Sequence, residues 1–210
     1  MKIKEIIVKN AKWIILFICL TMFFGILENV LAKDIMNLDI VGYEIISKYL
    51  ISDFATPIAK TITMFGGAFF LIILATLILI FAKNKRIGFF VWLNLGISTI
   101  LNQTIKFIIQ RPRPTEFRIV DESGYSFPSG HSMVSVAFYG FLIYIIYKKI
   151  KNKYLKWSLI IALSILVILI GLSRIYLGVH YVSDVVAGFL ISVSYLIMYT
   201  SIIKNYCEIK

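Results

Sequence analysis

An arginine, a histidine and a carboxylate fall close together in the stretch Ser173-Arg174-Ile175-Tyr176-Leu177-Gly178-Val179-His180-Tyr181-Val182-Ser183-Asp184, which lies between two long apolar runs. Asp184 follows His180 by four residues, so a helix starting near His180 would put both side chains on one face. A carboxylate there can accept the proton-bearing imidazole nitrogen and leave the other nitrogen free as nucleophile or base. Arg174 adds a fork of donors suited to phosphate or carboxylate oxygens. Taken alone, the stretch reads equally well as a structural ion pair at a helix end.

Two further stretches carry groups of the same kind. Asn94, Ser98, Asn102 and Lys106 recur every four residues, a polar stripe on one helix with a cation at its end. A cation inside an apolar helix is costly and is either functional, paired or snorkelling to the interface. Arg111-Pro112-Arg113-Pro114 follows. Proline lacks the amide donor and restricts the residue before it, so the helix must end there and leave two guanidinium groups near Lys106. Contact with lipid phosphates is the plainer role for such arginines. Phe127-Pro128-Ser129-Gly130-His131 then opens the next apolar run. Ser129 suits an N-cap, Gly130 permits close approach of the backbone to a ligand, and a helix start favours anions. His131 is placed to donate a proton to a group leaving that anion, or to serve as a cap or headgroup contact.

The elements that position these residues follow from composition. The chain has 210 residues, 60% hydrophobic and 16% charged, with mean hydropathy +0.88. A soluble domain of this length could not hide so much apolar surface, so the surrounding medium is lipid. Six segments approach the roughly 20 residues that cross a bilayer core: about 13–32, 61–82, 87–107, 131–147, 157–173 and 180–203. Within 33–60, Ile45, Ile46, Tyr49, Leu50 and Phe54 recur at helical spacing opposite Glu44, Lys48 and Ser52. That pattern predicts a short amphipathic helix on the membrane surface. The expected fold is all-α, a polytopic bundle of six transmembrane helices forming one domain over residues 1–210.

Charge asymmetry orients the bundle. Lys2, Lys4, Lys9 and Lys12, then Lys83, Lys85 and Arg86, then Lys148, Lys149, Lys151, Lys153 and Lys156, and finally Lys204 and Lys210 fall on one side. Only Glu5 and Glu208 dilute them, whereas Asp34, Asp39, Glu44, Asp53, Glu116, Asp121, Glu122 and Asp184 collect on the other. Basic loops stay cytoplasmic, so both termini are expected inside the cell membrane and the motif-bearing loops outside. The net charge of +11 is spread around apolar spans. It implies anionic lipid headgroups as partners, with no nucleic acid. Cys19 and Cys207 have no metal-ligand spacing and suggest no disulfide. Lysines before the first span and Val30-Leu31-Ala32 resemble a signal peptide, but the apolar stretch is long for that role and is expected to remain as a span.

Lys106, six residues, Arg113-Pro114; Pro128-Ser129-Gly130-His131; and Ser173-Arg174, five residues, His180, three residues, Asp184 together resemble the three-part signature of the type-2 phosphatidic acid phosphatase family. The vanadium-dependent haloperoxidases share that signature, and the six-span layout resembles small bacterial members of the family. Arg111-Pro112 is a second arginine-proline pair, and spacing favours Arg113. The resemblance implies a metal-independent lipid phosphatase without cofactor. In it Lys106, Arg113, Ser129, Gly130 and Arg174 bind phosphate, His180 attacks phosphorus, Asp184 orients His180, and His131 protonates the leaving oxygen. The residue types suit phosphoryl transfer by positioning and charge stabilisation alone. The substrate classes implied are a phosphatidylglycerol phosphate, a phosphatidic acid or a polyprenyl diphosphate such as undecaprenyl diphosphate, with no obligatory protein partner. The attack by His180 would form a phosphohistidine, and a lipid phosphotransferase using the same intermediate is the nearest alternative. A transporter is more distant, because transporter sites usually lie near the midplane on broken helices.

Overall fold

In a computed structural model, described for residues 3–115, 118–204 and 206, the chain is helical and contains eight helices among the described residues. They are α1 (Ile3–Leu31), α2 (Asn37–Tyr49), α3 (Ala55–Met64), α4 (Ala68–Phe81), α5 (Lys85–Ile109), α6 (Gly130–Lys149), α7 (Lys153–Tyr176) and α8 (Val182–Ile203). Cys207 and the charges assigned to Lys2, Glu116, Glu208 and Lys210 lie outside the described residues. The central helix is α6, which packs on α5, α7 and α8; α1 covers α8, and α4 covers α5. Leu71, Val91, Leu95, Phe138, Phe141 and Ile170 close the main apolar core between them. Large apolar side chains also face outward, including Phe17 at 72%, Phe69 at 82% and Phe107 at 74% exposure. In water that outer surface would drive aggregation, whereas lipid solvates it. The protein is a multi-pass membrane protein.

Four helices are long and apolar enough to cross a membrane by length and composition: Asn10–Leu31, Gly130–Lys149, Lys153–Tyr176 and Val182–Ile203. A fifth span forms if α3 and α4 are taken together, and these meet at 46°. The segment expected as one helix over 61–82 is therefore broken, and Gly66-Gly67 is the physical reason. A Cβ on Gly66 would lie 2.6 Å from Ile170 Cγ2 and 2.8 Å from Ser135 Oγ, so only glycine lets the chain pass this close to α6 and α7. The break also frees the carbonyl of Phe65, which accepts the Tyr139 hydroxyl at 2.7 Å. The third expected span, 87–107, falls on α5, which is not among the apolar helices. It buries Asn94, Ser98, Asn102 and Lys106 along the stripe read from the sequence.

The pattern expected over 33–60 likewise divides. α2 stops at Tyr49, and the next helix starts at Ala55, whose amide donates to Ser52 Oγ at 3.1 Å. Ile46 is buried against Ile175, Leu177 and Val179, whereas Ile45, Tyr49, Leu50 and Phe54 remain exposed. α2 packs on α7 and α8.

Gly66→Ala should lower the detergent melting midpoint, since overpacking a filled core costs about 1–3 kcal/mol. Gly25→Ala, where a Cβ meets nothing within 4 Å, should leave it unchanged or raise it.

Candidate active site

Four helix ends meet at one end of the bundle: the C-termini of α5 and α7 and the N-termini of α6 and α8. The basic connections α4–α5 and α6–α7 therefore lie at the opposite end. The three motif stretches are tied together there by backbone as well as side chains. Ser129 N–H donates to the Asp184 carbonyl at 3.1 Å, linking the start of α6 to that of α8. Asn102 Nδ2 donates to the Pro128 carbonyl at 3.2 Å, linking α5 to the same turn. α7 ends through Gly178, whose φ of 70° is open to glycine at little cost. Gly178 N–H donates to the Ile175 carbonyl, and the chain turns to present His180 ahead of α8.

His180 precedes α8 instead of lying within it, so it meets Asp184 differently from two residues on one helical face. Asp184, in the first turn of α8, bends back. Its Oδ2 accepts Tyr181 N–H at 3.0 Å and lies 3.4 Å from His180 Nδ1. With the proton on Nδ1, the Nε2 lone pair faces Arg113 Nη1 at 3.1 Å. Burial pushes the His180 imidazole down to about 4, against the opposing pull of Asp184.

Lys106, Arg113, Gly130, His131, Arg174 and His180 all line one cavity of about 580 Å³. Lys106 Nζ donates to the carbonyls of Tyr125 and Ser126. Arg113 is held by the carbonyls of Gly124 and Ser123 at 3.0 Å each and of Val179 at 2.9 Å. Arg174 Nη1 donates to Thr63 Oγ1 at 2.9 Å and Nη2 to Glu122 Oε1 at 2.6 Å. Its Nε is buried without a hydrogen-bond partner among the described residues. Burial would raise the Glu122 carboxyl, but Arg174 and Arg113 outweigh it and hold it below the ordinary value. A carboxylate thus rests on two guanidinium groups at the cavity wall, as an oxyanion would.

Two sequence-level candidates do not line the cavity. Ser129 is buried as the N-cap of α6, where its Oγ accepts from Ser132 N–H at 3.4 Å and Ser132 Oγ at 2.9 Å. Asp184 stands behind His180. Of the two arginine-proline pairs, Arg113 faces the cavity and Arg111 turns away toward Asp184 and Asp39. Glu122, Thr63 and Asp39 had no motif to mark them. Only their place among the acids of one side, for Glu122 and Asp39, was visible in the sequence.

A lipid-solvated helical bundle with cations and two imidazoles gathered around one cavity defines a membrane protein with a positively lined pocket. The chain matches the PAP2 superfamily over residues 87–206, more than half its length, and belongs to that family. It is 38% identical over 133 residues to phosphatidylglycerophosphatase B of Bacillus subtilis, covering 61% of this chain and 65% of that protein. It is 28% identical over 138 residues to the undecaprenyl-diphosphatase of Sulfolobus acidocaldarius, covering 62% of each. The chain thus spans just under two thirds of the length of these relatives. Its fold is similar to the crystal structure of a transmembrane PAP2-type phosphatidylglycerolphosphate phosphatase from Bacillus subtilis, with TM-score 0.72 and 28% identity. That match covers 88% of this chain and 96% of the other.

Because burial dominates at His180, its imidazole should stay neutral through pH 5 and take up a proton only as the pH nears about 4. ¹⁵N-histidine NMR of the protein in detergent checks this; a midpoint near 6.5 would contradict the burial described.

Proposed function

We propose that the protein is an integral membrane lipid phosphatase that hydrolyses a phosphate monoester or diphosphate at the extracytoplasmic face. The observation that carries this reading is that Lys106, Arg113, Arg174, His131 and His180 line a single cavity. The names of the relatives agree with it. The three cations, with the Gly130 amide, hold the phosphate oxygens, and Arg174 Nε has a free bond for one of them. Ser129 acts at one remove, as the cap that fixes the start of α6.

In the first step His180 Nε2 attacks phosphorus in line. The bond to the leaving oxygen breaks, that oxygen takes a proton from His131, and a phosphohistidine forms. In the second, water attacks phosphorus, His131 takes its proton, the P–N bond breaks, and inorganic phosphate leaves. Asp184 orients His180 and balances its positive charge while phosphorus is attached. The cations surround charge that spreads over the equatorial oxygens during transfer, which is where stabilisation is worth most.

The site end of the bundle carries the acidic connections and the opposite end the basic ones, which supports six spans with both termini cytoplasmic. In that arrangement α5 is the third span, its polar stripe turned inward, and α2 lies at the outer interface. The cavity then opens at headgroup level, where a phosphate on a lipid fits better than a soluble sugar phosphate. Undecaprenyl diphosphate and phosphatidylglycerol phosphate are the favoured substrates.

The test is phosphate release by purified protein in detergent from phosphatidylglycerol phosphate, phosphatidic acid and undecaprenyl diphosphate; no release from any of them would end the reading. Label passing from substrate to a second lipid instead of to free phosphate would identify a phosphotransferase. His180→Ala should abolish release while the protein still inserts and folds. Asp184→Asn should lose about a hundredfold or more, and His131→Ala roughly 10²–10⁴. Since side-chain cations supply the charge, EDTA should leave the rate unchanged.

A further inference from the structure

Arg111 is the one motif-adjacent cation turned away from the cavity toward the back of the histidine. Its Nη1 donates to Asp184 Oδ1 at 2.7 Å and to Ser183 Oγ at 2.8 Å, and its Nη2 donates to Asp39 Oδ2 at 3.0 Å. The guanidinium carbon stands 4.1 Å from the centre of the Tyr181 ring. Asp39, on α2, also accepts Ser183 N–H through Oδ1 and the Ser183 hydroxyl through Oδ2, each at 2.8 Å. Asp39, Arg111, Ser183 and Asp184 are all buried. Every oxygen of the two carboxylates therefore has a donor: Arg111 on Asp184 Oδ1, Tyr181 N–H and His180 on Asp184 Oδ2, and Ser183 and Arg111 on Asp39.

The charges matter more than the number of bonds. As the N–P bond forms, His180 becomes positive, and Asp184 can offset that only with charge not already neutralised. Arg111 alone, fully committed to Asp184, would cancel it in a buried setting where pairing is strong. Asp39 takes the other end of the guanidinium fork. The cluster then holds two carboxylates against one guanidinium, and a net negative charge is left for the imidazole. Ser183, bonded to both Asp39 and Arg111, keeps the fork from collapsing onto one acid.

We propose that Asp39 is a positioning residue for the nucleophile: through Arg111 and Ser183 it fixes Asp184 and preserves its charge for His180. α2, outside all three motif stretches, then belongs to the catalytic apparatus. The inference rests on the reading of His180 as nucleophile, and it differs from a mere staple of α2 to α8 in what its removal changes.

The chain has two histidines, so ¹⁵N-histidine spectra in detergent resolve His180 directly, with His131→Gln serving to assign it. Phosphate release is followed in parallel with whichever of the three lipids above is turned over fastest. Asp39→Asn should lower kcat tenfold or more with KM within twofold, and should convert His180 from the Nδ1–H tautomer to a mixture of both. The paired variant Asp39→Asn/Arg111→Met, which like the wild type leaves one net negative charge beside the imidazole, should regain most of the lost kcat and return His180 to the Nδ1–H tautomer. In an Asp184→Asn background, Asp39→Asn should cost less than a further twofold. A staple predicts otherwise: kcat and tautomer unchanged in Asp39→Asn, or a loss in the paired variant at least as deep as in Asp39→Asn, and either result overturns the proposal. A wild-type protein that releases no phosphate, yet shows the tautomer change in Asp39→Asn, would sink the phosphatase reading and leave the positioning role standing.

Discussion

Lys106, Arg113 and Arg174 are held against one cavity although like charges repel, more strongly as the local dielectric falls. The arrangement depends on a segment with no motif of its own. Residues 122–126 supply a carbonyl or carboxylate to each of the three cations: Tyr125 and Ser126 to Lys106, Ser123 and Gly124 to Arg113, and Glu122 to Arg174. Most of these acceptors are neutral carbonyls. They orient the cations without cancelling their charge, and so the cavity stays positive enough to hold an anion. Glu122 is the one full negative charge among them, and its side chain is 31% exposed, where water competes for it.

Much of this was legible because charge in an apolar chain is expensive and conspicuous. Lys106, Arg174 and His180 stand out against their neighbours, and their intervals match a known signature. The inward stripe of α5 follows from spacing alone. Other features depend on residues far apart in the chain. Arg111 and Arg113 are two residues apart with the same proline context, and the positions of Asp39 and Asp184, both far from them along the chain, send one of them behind His180. Glu122 takes its importance from Arg174, which reaches it across the fold. The broken helix over 61–82 did leave a mark, Gly66-Gly67, but hydropathy averages over such a pair and reads one continuous run.

The pairing of His180 with Asp184 shows how spacing can be right while the geometry assumed for it is not. Four residues suggest neighbours on a helix face, yet the histidine sits before the helix starts. Asp184 reaches it because a first-turn side chain can fold back over the backbone amides that lack helical partners. The same carboxylate therefore completes a helix end and orients a ring, and loss of either role would disturb the other.

The stripe on α5 also constrains how the molecule is assembled. A helix lined on one side with two asparagines, a serine and a lysine is a poor solute in hydrocarbon by itself. Its neighbour α4 is almost wholly apolar and is joined to it by three residues, 82–84. For α5 to cross the bilayer, entry of the two as a hairpin is favoured, with α5 carried in by its partner and half-solvated until α6 arrives. On this view Lys106 is among the last parts of the bundle to become dry, and a chain truncated before α6 should be recognised as unfinished by membrane quality control.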